Sequence, residues 1–266
     1  MNKNGIDVYD VMQPNRMEKS LKGKTDVIDS ENAARSVLSG EAVVIPKSHA
    51  RLRSLLMTRN SAVKARTQAM DQIRALVISG PDELKQSLYR PKPSACATAC
   101  LARFSNSREP LMISLVLLAQ RRNFLNDQVK SLDNALKKLT LNTAQSLVSR
   151  FGVDTNVAAT LLVAAGDNAN RLKKESSFAA LCGVNPIPAS SGKTTRHRLN
   201  RGGSRSANNA LWTVAMVRMR SDPKTKDYVA RRTAEGLSTK EITRILKRYI
   251  ARELFTLILK DIASRS

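Results

Sequence analysis

The sequence predicts a mainly α chain with a small α/β part, and three observations carry that reading. Apolar residues recur at helical spacing over most of the chain, period-two alternation is confined to short N-terminal segments, and 42% hydrophobic with 25% charged residues suffices for a buried core. At 266 residues the chain amounts to one large domain or two small ones.

In chain order, Gly5–Met12 alternates Ile6, Val8 and Val11 with Asp7 and Asp10, the period of a short strand that ends before Pro14. Such a strand needs later segments, or a preceding part of the protein, to pair its edges. Thr25 or Asp26 can cap a helix whose apolar side is Ile28, Ala33, Val37 and Leu38, closed by Gly40. Val43–Ile45 is a brief second strand before Pro46. From Ala50, the residues Leu52, Leu55, Leu56, Val63, Met70, Ile73, Leu76 and Val77 predict a helix of about eight turns.

Pro81, Pro91 and Pro93 interrupt the chain, and beyond Pro110 the residues Leu118, Leu125, Leu132 and Leu139 fall seven apart, with Leu115, Val129 and Leu136 interleaved. Arg122 breaks one core position of this heptad seam, which predicts packing against the Ala50–Ile78 helix as a long antiparallel coiled-coil arm. The seam reports a helical partner and carries no chemistry. From Thr143 a helix to Ser149, a turn at Phe151–Asp154 and a small-residue helix ending at Gly166 read as a helix-hairpin-helix-like unit, whose amides could meet a DNA phosphate. Asp154 stands where the usual second glycine would be. The last helix, from Thr239, packs through Ile242, Ile245, Leu246, Tyr249, Ile250, Leu254, Leu257 and Ile258, backed by solvated Lys240, Arg244, Lys247, Arg248 and Arg252. The expected division is 1–48, 49–142 for the helical arm, and 143–266 for a helical C-terminal domain.

Charge narrows the function. Forty-five Lys and Arg against 22 Asp and Glu leave a formal +23, which calls for a polyanionic partner, nucleic acid first. An anionic membrane would also attract such charge. No apolar run approaches the roughly 18–20 residues of a membrane span, and the N-terminus lacks the apolar core of a signal peptide. With three cysteines (Cys96, Cys100 and Cys182), no CxxC pair and only His49 and His197, neither a disulfide framework nor a zinc site is expected, which suits a cytoplasmic protein. The density is greatest from Ser190 onward, where 18 Lys and Arg face 6 Asp and Glu. Ten aromatic residues in all offer no obvious base-stacking platform.

Two places can hold chemistry. Asp26 and Asp29, three apart on one helical face, can share a divalent cation, typically magnesium; equally, acids in a first turn cap free N–H groups and suit the helix dipole. The second place is Pro186–Arg205, where Ser190 and Ser191 precede Gly192 and are followed by Lys193, Arg196, Arg198, Arg201 and Arg205. A serine there could attack a phosphodiester while guanidiniums neutralise the growing charge. The plainer alternative is a Ser-Gly turn beside a phosphate-binding basic loop. Ile187 stands where a Walker loop needs its first glycine, so ATP binding is discounted.

Taken together in this order, the two places resemble one family. GKTDVIDSENAAR (Gly23–Arg35) is similar to a G-K-[ST]-D-x-x-D-A motif. FAALCGVNPIPASSGKTTRHRLNRGGSRSANNAL, followed by DPKTKDYVARRTAEG and LKRYIARELF, resembles the C-terminal domain of bacterial insertion-sequence transposases of the IS one-ten (DEDD) family. The likeness runs from about Gly5 to Leu257, and SAVKARTQAMDQIRALV is similar to that family's linker. The resemblance implies an RNase H-like (RuvC-like) domain with a D-E-D-D metal quartet, of which 1–48 would be a partial N-terminal fragment, a coiled-coil arm and a serine-bearing transposase domain. It implies DNA strand exchange, magnesium, a structured guide RNA in at least some members, and homo-oligomers. By motif, Asp26 and Asp29 resemble the last two acids of the quartet, and Ser191, with Ser190 as the alternative, resembles the nucleophile. The first Asp and the Glu of the quartet have no counterpart here, which implies an N-terminally truncated transposase with impaired catalysis, or a non-catalytic nucleic-acid-binding remnant.

Overall fold

A computed structural model describes residues 11, 26–40, 50–88, 92–166, 172, 174–189 and 197–264. The strands expected over Gly5–Met12 (Val11 apart) and Val43–Ile45 lie outside the described residues. The described chain is mainly helical, with one two-stranded antiparallel sheet.

Helix α1 spans Asp26–Leu38. Asp26 and Asp29 in its first turn and Arg35 in its last complement the helix dipole, Glu31 pairs with Arg35 at 2.6 Å, and Gly40 at φ +73° follows its end. These local terms specify the helix. Of its expected apolar side, Val37 and Leu38 are exposed, Leu38 at 86%.

The two longest helices are α2 (Ala50–Ser79) and α5 (Pro110–Thr143), joined through α3 (Asp82–Leu88) and α4 (Pro93–Phe104). Pro93 and Pro110 each open a helix, where the missing N–H costs nothing and the fixed φ is already helical. Helices α2 and α5 pack against each other in antiparallel sense. Arg59 pairs with Asp133, and Arg66 Nη1, seven residues further along α2, donates to Asn126 Oδ1, seven residues back along α5, at 2.9 Å. The row that α5 buries is the interleaved one, Leu115, Val129 and Leu136, while Leu118, Leu125, Leu132 and Leu139 are half-buried shoulders. On α2 the row Leu52, Arg59, Arg66 and Ile73 faces the pair, so its two middle positions are arginines.

That polar middle divides the core. At one end Met70, Ile73 and Val77 of α2 pack with Leu84 and Leu88 of α3, Cys96, Ala97 and Cys100 of α4, and Leu115 and Ala119 of α5. At the other, Leu52, Leu56 and Leu136 join the C-terminal core. The cysteines are buried thiols, and burial, then neighbouring Cys96, pushes Cys100 up to about 12, so it is packing material rather than a nucleophile. Truncating Asp133 to Ala strands Arg59 in the seam and is expected to cost about 1–2 kcal/mol. The paired Arg59→Leu/Asp133→Leu replacement should recover that loss in a urea melt; a double variant as unstable as Asp133→Ala would contradict the polar-layer account.

The C-terminal core is built on α6 (Gln145–Val148), α7 (Thr155–Ala165), α8 (Glu175–Leu181), α9 (Arg205–Ser221), α10 (Pro223–Ala234) and α11 (Thr239–Ala263). Alanines in α7 allow close approach, and Val157, Ala158, Ala159, Leu161, Leu162, Ala164 and Ala165 are all buried. A capping box of Ser238 and Glu241 starts α11, and buried Asp261 near its end accepts from the Ser146 and Leu147 amides at 3.1 and 3.0 Å, fixing α6 against it.

The turn of the helix-hairpin-helix-like unit makes contacts within the protein. Asp154 caps α7, accepting from Val157 N at 2.7 Å, and so supplies in cis the negative charge a phosphate would bring. Gly152 (φ +82°) lies against Val214 of α9, and Arg218 bridges Phe151 O and Glu253. On α11, Lys247 was expected on the solvated side and is only 8% exposed; Tyr249 was expected in the packing face and is 51% exposed, edge-on to Tyr228. The buried stripe keeps Ile242, Leu246, Ile250, Leu254 and Ile258 of the expected face and widens on one side to Thr243, Lys247, Ala251 and Phe255, where Lys247 finds a polar partner inside.

Candidate nucleic-acid interface

Strands β1 (Ile187–Pro188) and β2 (His197–Arg198) pair Ile187 with Arg198 and Pro188 with His197. The chain between them, 189–196, carries Ser190, Ser191, Lys193 and Arg196, and all four lie outside the described residues. What the structure defines is the root of this hairpin, and it is tightly held.

The first clamp is backbone on backbone. Gly183, at φ +64° after α8, and Gly203, at φ +80° before α9, lie so close that a Cβ on Gly183 would fall 2.4 Å from Gly202 O, and one on Gly203 would fall 2.6 Å from Gly183 N. Ser204 N donates to Leu181 O at 2.7 Å across the same contact. Only glycine fits both the conformation and the space.

Asparagines tie the rest. Asn200 Nδ2 donates to Asn185 Oδ1 at 2.5 Å while Asn200 Oδ1 accepts from Gly202 N at 2.8 Å. Asn208 of α9 donates to the carbonyls of Cys182 and Gly183 at 2.9 and 3.0 Å, and its Oδ1 accepts from Lys247 Nζ at 2.9 Å. Lys247 is therefore a buried ammonium facing a neutral amide, and burial, then the nearby Arg244 charge, holds its pKa below the ordinary lysine value.

Two clefts flank the segment running from β2 into α9. One, of ≈ 680 Å³, lies between the hairpin root and α11 and presents His197, Arg198, Arg244, Lys247 and Arg248 together with one carboxylate, Glu241. The other, of ≈ 560 Å³, lies between 199–202 and α9 and presents Arg201, Arg205, Asn209 and Trp212. Arg248 is held by Glu175 through both its terminal nitrogens. Among the described residues no carboxylate pairs with Arg198, Arg201, Arg205 or Arg244. Thus three predicted basic residues line the two adjoining clefts, Arg198 in the first with Arg244 and Lys247 of α11, and Arg201 and Arg205 in the second. Arg244 and Lys247 were legible only as helix charge; the asparagine run Asn208-Asn209 was the one polar signal near them.

Asp26 and Asp29 sit together in the first turn of α1, one exposed and one half-buried. Among the described residues no three His, Cys, Asp or Glu side chains converge. Two carboxylates on one helical face are oxygen donors of the kind magnesium takes.

Residues 144–230 match a family described as Transposase IS116/IS110/IS902 family. That interval covers the core from the end of α5 to α10 and contains the hairpin with both of its clamps. No curated protein matches the chain. Among the described residues no helix is long and apolar enough to cross a membrane.

Proposed function

We propose that this chain, whose residues 144–230 match the IS116/IS110/IS902 transposase family, is a DNA transposase whose Ser191 cuts and rejoins strands. The carrying observation is the hairpin root: a rigid base between two clefts whose unpaired cations face outward where a phosphodiester can dock.

In the proposed step the Ser191 oxygen bonds to phosphorus as the bond from phosphorus to the leaving sugar oxygen breaks. The serine proton ends on that sugar hydroxyl, and the strand is left on the protein as a phosphoserine ester. Attack by another strand's hydroxyl reverses the exchange and returns the proton. Arg198 and Lys247 neutralise charge on the phosphorane, and the buried ammonium of Lys247 regains in phosphate the counter-charge it lacks. Magnesium, where held by Asp26 and Asp29, would neutralise a further phosphate oxygen. A guide RNA and a homo-oligomer belong to the same proposal by family resemblance.

A second reading is binding without cutting, which the basic side chains of the two clefts support by themselves. Both readings require salt-sensitive binding. Affinity for duplex DNA should fall steeply with salt, and replacing Arg198, Arg201 and Arg205 together by Gln should flatten the log–log slope by about two to three. A slope unchanged by the triple replacement would remove this surface from the interface; cleavage of element ends then separates the two readings.

A further inference from the structure

We propose that Trp212 is a stacking platform for one unpaired nucleobase, so that a nucleotide near the cut is taken out of its duplex and lodged beside α9. This deepens the nucleic-acid reading above and rests on it. Trp212 is the only tryptophan of the chain, and although it sits in the middle of a helix that packs into the core it is 46% exposed. Helix α9 buries Ala207, Ala210, Leu211, Val214 and Ala215, and turns Arg205, Asn209 and Trp212 outward at spacings of four and three, on one face. That face is one wall of the ≈ 560 Å³ cleft, and Arg201 and Leu199 stand on the other.

Each component has the chemistry of a nucleotide. The indole is a broad π surface that accepts any base, and among the described residues no ring or guanidinium covers it. The side-chain amide of Asn209, engaged by no hydrogen bond among the described residues, offers a donor and an acceptor to a base edge. Arg201 and Arg205, without carboxylate partners, suit the phosphates on either side. An apolar protein partner would gain little from a patch ringed by unpaired cations; an unpaired nucleotide satisfies the ring, the amide and the charge together. The cleft shares Leu199 and Asn200 with the neighbouring one under the hairpin, so a base on Trp212 belongs to the strand being handled there.

Because there is a single tryptophan, the full chain carries its own probe. Its emission, excited where tyrosine does not absorb, is read while thymidine single-stranded DNA, uridine single-stranded RNA or a blunt DNA duplex is added, with anisotropy of the labelled oligonucleotide in parallel. The expected result is quenching by single strands and little by the duplex. Trp212→Ala should weaken single-strand binding on the order of ten-fold, several-fold more than duplex binding, with Trp212→Phe keeping most of it. Quenching by the DNA strand alone assigns the base to DNA, and by the RNA strand alone to RNA; either supports the platform. Oligonucleotide binding without quenching, equal losses on single strand and duplex, or an emission maximum that shifts with protein concentration in the absence of oligonucleotide overturns it. Absence of binding by anisotropy to every probe overturns the nucleic-acid reading itself.

Discussion

Ser191→Ala is expected to lower strand cleavage by roughly 10³-fold or more while leaving DNA affinity within about two-fold. The asymmetry follows from where the charges are. The cations proposed to hold DNA come from β2, the 199–205 segment, α9 and α11, all anchored independently of the hydroxyl, so removing one oxygen leaves the surface intact. The chemical step has no equivalent reserve: among the described residues the cysteines are buried, burial pushes the Cys100 thiol up to about 12, and His197 is the only described histidine. Ser190→Ala should keep most of the activity. If Ser190→Ala is the dead variant and Ser191→Ala is active, the nucleophile moves by one residue and the site stands; if both cut normally, the serine mechanism is wrong.

Gly203→Ala is expected to be the most damaging single methyl group in the C-terminal core. Its positive φ costs a β-carbon about 1–2 kcal/mol, and overpacking adds about 1–3 kcal/mol more, because the new carbon would fall 2.6–2.8 Å from Gly183 N, Leu181 O and Ala180 O. These are backbone atoms of the α8 terminus, pinned by the Ser204 N to Leu181 O hydrogen bond, and cannot swing aside as a side chain can. An unfolding free energy lowered by about 3 kcal/mol in a urea melt, with DNA affinity falling because the strip between the two clefts is displaced, is the expected outcome. Gly236→Ala provides the contrast: it has φ +89° but nothing within 4 Å, so it should show the conformational penalty alone. Equal losses at the two glycines would mean that the Gly183–Gly203 contact does not hold the root together.

Much of the helical framework could be read from local chemistry. Pro93 and Pro110 mark helix starts because proline fits the first turn, Ser238 and Glu241 mark the start of α11 because they satisfy each other's amides, and Gly40 follows α1 at a positive φ. The C-terminal motif block was legible as a pattern, and the structure gives several of its residues mechanical work: Asn185, Asn200, Gly203 and Asn208 build the hairpin root. What periodicity could not supply was the partner across the fold. The leucine row seven apart is a conspicuous pattern, yet the interleaved row is the buried one, because Arg59 and Arg66 of α2 need Asp133 and Asn126 opposite them and that pairing sets the register. Lys247 reads as a solvated charge until Asn208, 39 positions earlier, is brought to its Nζ. Trp212 was one aromatic among ten; its exposure, not its identity, makes it a candidate, and exposure belongs to the fold.

The central claim, that a serine on this clamped hairpin becomes covalently joined to DNA, is tested most directly by incubating the full chain with an element-end duplex nicked beside the cut, so that the released fragment diffuses away and the ester is trapped. Protease digestion and peptide mass spectrometry then locate the adduct. The account predicts a nucleotide on the peptide containing Ser191, absent in Ser191→Ala and lost at high salt together with binding. Cleaved strands ending in free phosphate or hydroxyl with no protein attached, or an adduct on a residue away from 189–196, would contradict it.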